Sequence, residues 1–153
     1  MDNNAIKKII EEILGKMSVR FQEIEVKTNN SDNIQFLIKS EDSGALIGNR
    51  GANLLALNHV IRKITQKNTP NEEPLKFFVD VNNYRERAGE DLKNKAKIMS
   101  DRARSFKIDI ELEPMSSYER MLVHSFLEKE PDIKTESKGE GEGRHVVIKY
   151  VAI

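Results

Sequence analysis

The sequence predicts an α+β protein built from two small two-layer α/β sandwiches. Three observations carry that prediction. Over residues 1–82, helical and alternating apolar periodicities succeed one another in the order α-β-β-α-α-β, enough for a three-stranded sheet with helices on one face. Over residues 83–153 a second succession, α-β-α-β-β, follows without a flexible linker. Finally, 38% of the 153 residues are hydrophobic and 33% are charged, which suits compact cores under a solvated surface.

In the first unit, Ile6, Ile9, Ile10, Ile13, Leu14 and Met17 recur at helical spacing and predict a helix over 4–16, with Gly15 near its end. Ile24, Val26 and Thr28 alternate with polar residues as a strand, and Ile34, Phe36 and Ile38 do the same. The Asn29-Asn30-Ser31-Asp32-Asn33 run between them is turn chemistry, so the pair reads as a hairpin. A short helix is expected over 43–47. After Gly48-Asn49-Arg50-Gly51, a longer helix carries Leu54, Leu57, Ile61 and Ile64 on one face, and Thr69-Pro70-Asn71 breaks it. Leu75, Phe77, Val79 and Val81 alternate as the third strand.

In the second unit, Tyr84, Ala88, Leu92, Ala96, Met99 and Ala103 mark one face of a helix over 84–105. Ile108, Ile110 and Leu112 predict a strand. Ser116 and Glu119 have the spacing of a capping box and open a helix over about 117–128, which ends before Pro131. Alternating runs near 132–137 and 145–151 flank Lys138–Gly143, whose three glycines read as a flexible hairpin tip. The two units differ in element order, so there is no internal repeat.

Composition excludes several classes of function. There are no cysteines, which removes disulfides, thiol catalysis and cysteine metal sites. No apolar run approaches the roughly 18 residues of a membrane helix. The first sixteen residues mix charge with isoleucine and do not read as a signal peptide. A cytoplasmic location without membrane insertion is the expectation. With three histidines there is no H-x-x-H or H-E-x-x-H spacing, no G-x-S-x-G elbow and no G-x-x-x-x-G-K-[ST] loop. No catalysis, metal or cofactor is expected.

Lys+Arg and Asp+Glu both total 25, but the neutral sum conceals segments of opposite sign. Residues 43–68 hold four bases and no acid; residues 85–107 hold eight bases and four acids; residues 108–142 hold four bases and ten acids. Local potential, rather than net charge, decides whether a polyanion is attracted.

The acid-free segment contains a G-x-x-G turn between two helices. Its glycines permit close backbone approach to a ligand, and the following helix offers unpaired N–H groups to a phosphate. Arg50 adds a positive charge. A tight helix–helix turn using glycine for geometry alone is the alternative. On the second unit's last helix, Arg120 and His124 stand four residues apart on one face, with Met121, Leu122 and Leu127 free to face a core. An arginine fork binds phosphate bidentately, and a histidine donates to phosphate or stacks on a base. Alternatively Arg120 pairs with Glu119 or Asp109, and His124 is a satisfied surface histidine.

Residues 4–82 resemble a type II KH domain, whose G-x-x-G loop clamps the backbone of about four nucleotides. That resemblance implies close approach at Gly48 and Gly51, phosphate contacts from Asn49 and Arg50, and an aliphatic floor for bases from Ile47 and Leu54. The Arg120-to-His124 spacing resembles the signature of the R-x-x-x-H single-stranded nucleic-acid-binding domain. Tyr84-Arg85-Glu86-Arg87, Glu111–Met115, Tyr118-Glu119-Arg120 and Thr135–Gly141 also look familial. Together, a KH domain over 1–82 and an R-x-x-x-H domain over 83–153 resemble the bacterial Jag family, also called KhpB or EloR. Membership implies an RNA-binding protein linked to cell elongation, division or envelope control, often partnered with a small single-KH-domain protein or self-dimerised. It implies single-stranded RNA as ligand, or single-stranded DNA through the second domain, with secondary contacts from Arg62, Lys63, Arg85, Arg87 and Arg144. The chain opens directly on the KH helix, without the additional N-terminal domain and charged linker of many members. It is therefore expected to be a naturally short or a shortened member. A protein-interaction or dimerisation module, with RNA incidental, is the competing reading.

Overall fold

The computed structural model describes residues 1–28 and 33–153, and the chain divides into two compact units, Met1–Arg85 and Glu86–Ile153. Most of the turn expected over 29–33 lies outside the described residues.

The first unit runs α1 (Asn3–Lys16), β1 (Glu23–Thr28), β2 (Ile34–Lys39), α2 (Ser43–Ile47), a 3-10 turn (Asn49–Gly51), α3 (Ala52–Asn68) and β3 (Phe77–Val81). The sheet order is β1-β2-β3, with β1 antiparallel and β3 parallel to the central β2. This is the KH-like α+β arrangement expected. Ile6, Ile10 and Leu14 of α1 and Leu54, Leu57 and Ile61 of α3 bury their side chains with Ile24, Phe36, Ile38, Phe77, Val79 and Val81. Phe36 and Phe77 meet edge to face, ring centres 5.7 Å apart.

Several elements differ in detail from the sequence pattern. The left-handed residue that ends α1 is Ser18 (φ 57°), not Gly15, and the Val19 N–H closes the helix on the Leu14 carbonyl at 3.1 Å. In β1 only Ile24 reaches the core, because the strand lies at the sheet edge. On α3 Thr65, rather than Ile64, is buried, its hydroxyl donating to the Ile61 carbonyl at 2.8 Å. Leu75 precedes β3 and stays exposed. Leu37 and its strand neighbour Asp80, each 1% exposed, are buried on the opposite sheet face from Phe36.

The outer edge of β3 is closed by side chains of α3. Asn58 accepts from the Val79 N–H and donates to the Val79 carbonyl, both at 2.8 Å, and Arg62 donates to the Phe77 carbonyl at 3.0 Å. Strand donors and acceptors that would otherwise be open to another chain are thereby satisfied.

The second unit takes most of α4 (Tyr84–Phe106), then β4 (Ile110–Glu111), α5 (Ser117–Leu127), β5 (Ile133–Lys138), a 3-10 turn (Gly141–Gly143) and β6 (His145–Tyr150). Its antiparallel sheet has the order β4-β6-β5. Ala96 and Ala103 of α4 pack with Leu112, Val123, Leu127, Ile133, Val146 and Ile148. The small side chains let α4 lie close to the sheet. Tyr84, at the helix start, packs instead on the first unit's core.

β4 is shorter than expected. Lys107 turns left-handed (φ 52°) and the Ile108 N–H closes the end of α4 on the Ala103 carbonyl at 3.2 Å, so Ile108 remains 51% exposed. Arg104 ties α4 to the segment before β5, donating to Asp101 at 2.8 Å and to Glu130 and Asp132 at 2.9 Å each. No described helix is long and apolar enough to cross a membrane.

Candidate nucleic-acid interface

The Gly48–Gly51 turn is made by backbone conformations that side chains resist. Gly48 has φ 72° and ψ −169°, Arg50 has φ 53°, and Gly51 has φ 77°. A Cβ on Gly48 would lie 2.5 Å from Asn53 Cγ, and one on Gly51 would lie 3.0 Å from Tyr84 Cε1. Both glycines are therefore required by close neighbours as well as by their dihedrals. Asn53 bridges the turn by donating to the Ala45 carbonyl at 2.8 Å. The start of α3 has no side-chain cap and no acid in its first turn, which leaves positive dipole at the turn.

Asn49 and Arg50 are exposed there, and Ile47 is half-buried against the core. Leu54 is only 8% exposed and belongs to the core, whereas the neighbouring Leu55 is 73% exposed. The expected aliphatic floor is thus supplied at Leu54 mainly from within. Arg62 and Lys63 lie about 15 Å farther along α3 at 1.5 Å per residue. Arg62 braces β3, while Lys63 is exposed. The Arg85 guanidinium sits 4.6 Å above the Phe78 ring, and Arg87 is exposed.

In the second unit, α5 starts at a complete capping box. The Glu119 N–H donates to Ser116 Oγ at 3.2 Å and the Ser116 N–H to Glu119 Oε2 at 2.8 Å. Fixed in this way, α5 buries Val123 and Leu127 and turns Arg120 and His124 toward β5. Met121, expected to face the core, is 52% exposed and lines the rim instead.

An open groove of about 640 Å³ runs between α5 and β5. Arg120, His124 and Ser117 line it from α5, Lys134, Thr135 and Ser137 from β5, and Arg144 from the hairpin end. Among its lining residues Glu128 is the single acid against three full cations. Arg120 donates to the Met115 carbonyl at 2.8 Å and to the Ser117 hydroxyl at 3.1 Å, rather than pairing with Glu119 or Asp109. Arg144 donates to the Gly139 carbonyl at 2.7 Å, across the hairpin tip. His124 Nδ1 lies 2.6 Å from Thr135 Oγ1 and its Nε2 lies 3.0 Å from Ser137 Oγ.

The structure therefore brings Arg120, His124 and Arg144 together. Ser117, Lys134, Thr135 and Ser137 do not stand out in the sequence. The i, i+2 alternation of Thr135 and Ser137 on a predicted strand is the signal that could have found two of them. Among the described residues no group of three or more histidine, aspartate or glutamate side chains forms a metal cluster.

The family model of the R-x-x-x-H domain matches residues 90–150, the stretch that contains this groove. The RNA-binding protein KhpB of Bacillus subtilis (strain 168) is 35% identical over 147 residues, covering 95% of this chain and 67% of that protein. The RNA-binding protein KhpB of Clostridium symbiosum is 33% identical over 132 residues, 86% of this chain and 56% of that one. The KhpB of Streptococcus pneumoniae serotype 2 is 26% identical over 157 residues, with 45% of its length covered. The chain thus spans between about half and two thirds of the length of these relatives. With a KH-like unit, an R-x-x-x-H domain and this degree of identity, the chain belongs to the KhpB family.

Proposed function

We propose that this chain is a cytoplasmic single-stranded RNA-binding protein that engages RNA at the Gly48–Gly51 turn and in the α5–β5 groove. It acts as a post-transcriptional regulator in cell elongation, division or envelope control, without catalysing a reaction. The convergence of Arg120, Lys134 and Arg144 with three hydroxyl side chains in one groove is the observation that supports this most. Arginine forks and hydroxyl donors suit phosphate oxygens. The names of the relatives, and the uncapped glycine turn, add to it.

The test is titration of a fluorescent single-stranded RNA into the parent chain, Arg50→Glu and Arg120→Ala at two salt concentrations, after circular dichroism has established folding. Arg50→Glu is preferable to substituting Gly48, whose added Cβ would strike Asn53. Weaker binding by each variant, with a shallower salt dependence for Arg120→Ala, is expected. Parent-like binding by both would leave the interaction-module reading in front.

Exposed Leu55 and Val60 on α3 favour an accompanying role in assembly, with a small single-KH-domain protein or a second copy as partner. Sedimentation of Val60→Asp against the parent tests this, and an unchanged oligomeric state would remove it.

A further inference from the structure

Both ring nitrogens of His124 are engaged by β5, Nδ1 with the Thr135 hydroxyl at 2.6 Å and Nε2 with that of Ser137 at 3.0 Å. A ring held at both nitrogens has no polar atom left for a ligand unless one of these bonds breaks. The hydroxyls differ, since each can donate one proton and accept twice. With a neutral ring, one hydroxyl donates to the bare nitrogen, and the other accepts from the ring N–H and keeps its own proton available. With an imidazolium, both N–H groups donate and both hydroxyl protons point away from the ring.

Alternation along β5 places Thr135 and Ser137 on the side facing α5, where they line the same groove as Arg120. The charged groups lining the groove around the ring are Arg120 and Glu128 of α5, Lys134 of β5 and Arg144 before β6.

We propose that Thr135 and Ser137, with Arg120, are the groups that touch phosphate, and that His124 is a positioning residue that takes up a solvent proton as phosphate binds. This rests on the reading that the groove holds nucleic-acid phosphate. A phosphate seated among these cations adds negative charge close to the ring and favours its charged form. That form turns both hydroxyl donors outward onto the phosphate oxygens. Only an N–H bond to the ring forms, the proton coming from solvent. The motif histidine thus orders the strand hydroxyls rather than reading the ligand itself.

The experiment uses the full chain carrying His59→Gln and His145→Gln, so that His124 is its only histidine. Binding of a ten-nucleotide oligouridylate is followed by calorimetry in two buffers of different ionisation enthalpy, and by fluorescence between about pH 6 and about pH 8. Fractional proton uptake, and affinity that falls several-fold as pH rises, are expected. Thr135→Val/Ser137→Ala should abolish the uptake and weaken binding about tenfold, while His124→Gln should keep part of the affinity and lose its pH dependence. Ser137→Ala alone, which should halve the effect, serves if the double variant does not fold. Uptake that survives in Thr135→Val/Ser137→Ala would mean that the ring itself contacts phosphate, and binding without any uptake would remove the linkage. Either result overturns this inference alone, whereas failure of the parent to bind overturns the RNA reading with it.

Discussion

The turn at Gly48–Gly51 and the groove between α5 and β5 are made from opposite materials. The turn is backbone, with positive φ at residues 48, 50 and 51 and with Asn53 and Tyr84 filling the space that a Cβ would need. The groove is side chain, with an arginine, a histidine and two strand hydroxyls held by a capped helix and an alternating strand. The first should fail when atoms are added and the second when they are removed. Both leave positive potential facing solvent, one from helix-end N–H groups and one from guanidinium and ammonium groups.

Gly48→Ala should upset this contrast most severely. It forces a side chain into a conformation open mainly to glycine and displaces Asn53 from the Ala45 carbonyl, for a loss of about 3 kcal/mol. Urea unfolding would measure it, and a loss under about 1 kcal/mol would show that the turn tolerates added atoms. Arg120→Ala comes next. It should leave stability within about 1 kcal/mol, weaken RNA binding about tenfold and lower the salt slope by about one, measured by fluorescence titration. A large stability loss with unchanged binding would make Arg120 a brace for Met115 and Ser117 only.

Ser116→Ala should cost about 1 kcal/mol by opening the capping box. Because α5 carries both Arg120 and His124, the loss should be accompanied by faster hydrogen exchange in its first turn. Unchanged exchange there would mean that packing of Val123 and Leu127 alone positions the helix.

The mildest effect concerns pH. The Gly143 carbonyl first, and the Glu111 carboxylate second, raise the His145 pKa above its ordinary value of 6.5. Because the folded value is the higher one, the stabilisation is complete below the unfolded value and is lost as pH rises through the folded value. Thermal melts should therefore shift slightly downward between about pH 6 and about pH 8, and Glu111→Gln should flatten the change. An equal slope in the variant would remove Glu111 from the account.

Much of the fold was legible because its signals are local. Helical spacing in α1 and α3, alternation in β2 and β3, and the Ser116–Glu119 cap each involve residues within a few positions of one another. The same signals misplace details wherever a neighbouring element decides. Alternation marks Val26 as a core residue, yet β1 is an edge strand and leaves it 38% exposed. Met121 has the right chemistry for the core, but the α5 face that packs is the one with Val123 and Leu127. Ile108 alternates with Ile110, but its N–H is committed to ending α4.

The order of residues alone is enough for the two-unit α+β organisation, the glycine turn with its positive flank, and the four-residue spacing that puts Arg120 and His124 on one helix face. Periodicity, capping and turn chemistry act over one or two turns of chain, so they can be read in a line of letters. Packing in three dimensions was needed to bring Thr135 and Ser137, 11 and 13 residues beyond His124, onto both of its nitrogens. Packing likewise joins Arg144 to Arg120 in one groove, closes the edge of β3 with Asn58, and fills the space beneath Gly51 with Tyr84. These pairings depend on how a helix lies against a strand or a turn, and no local propensity encodes that distance.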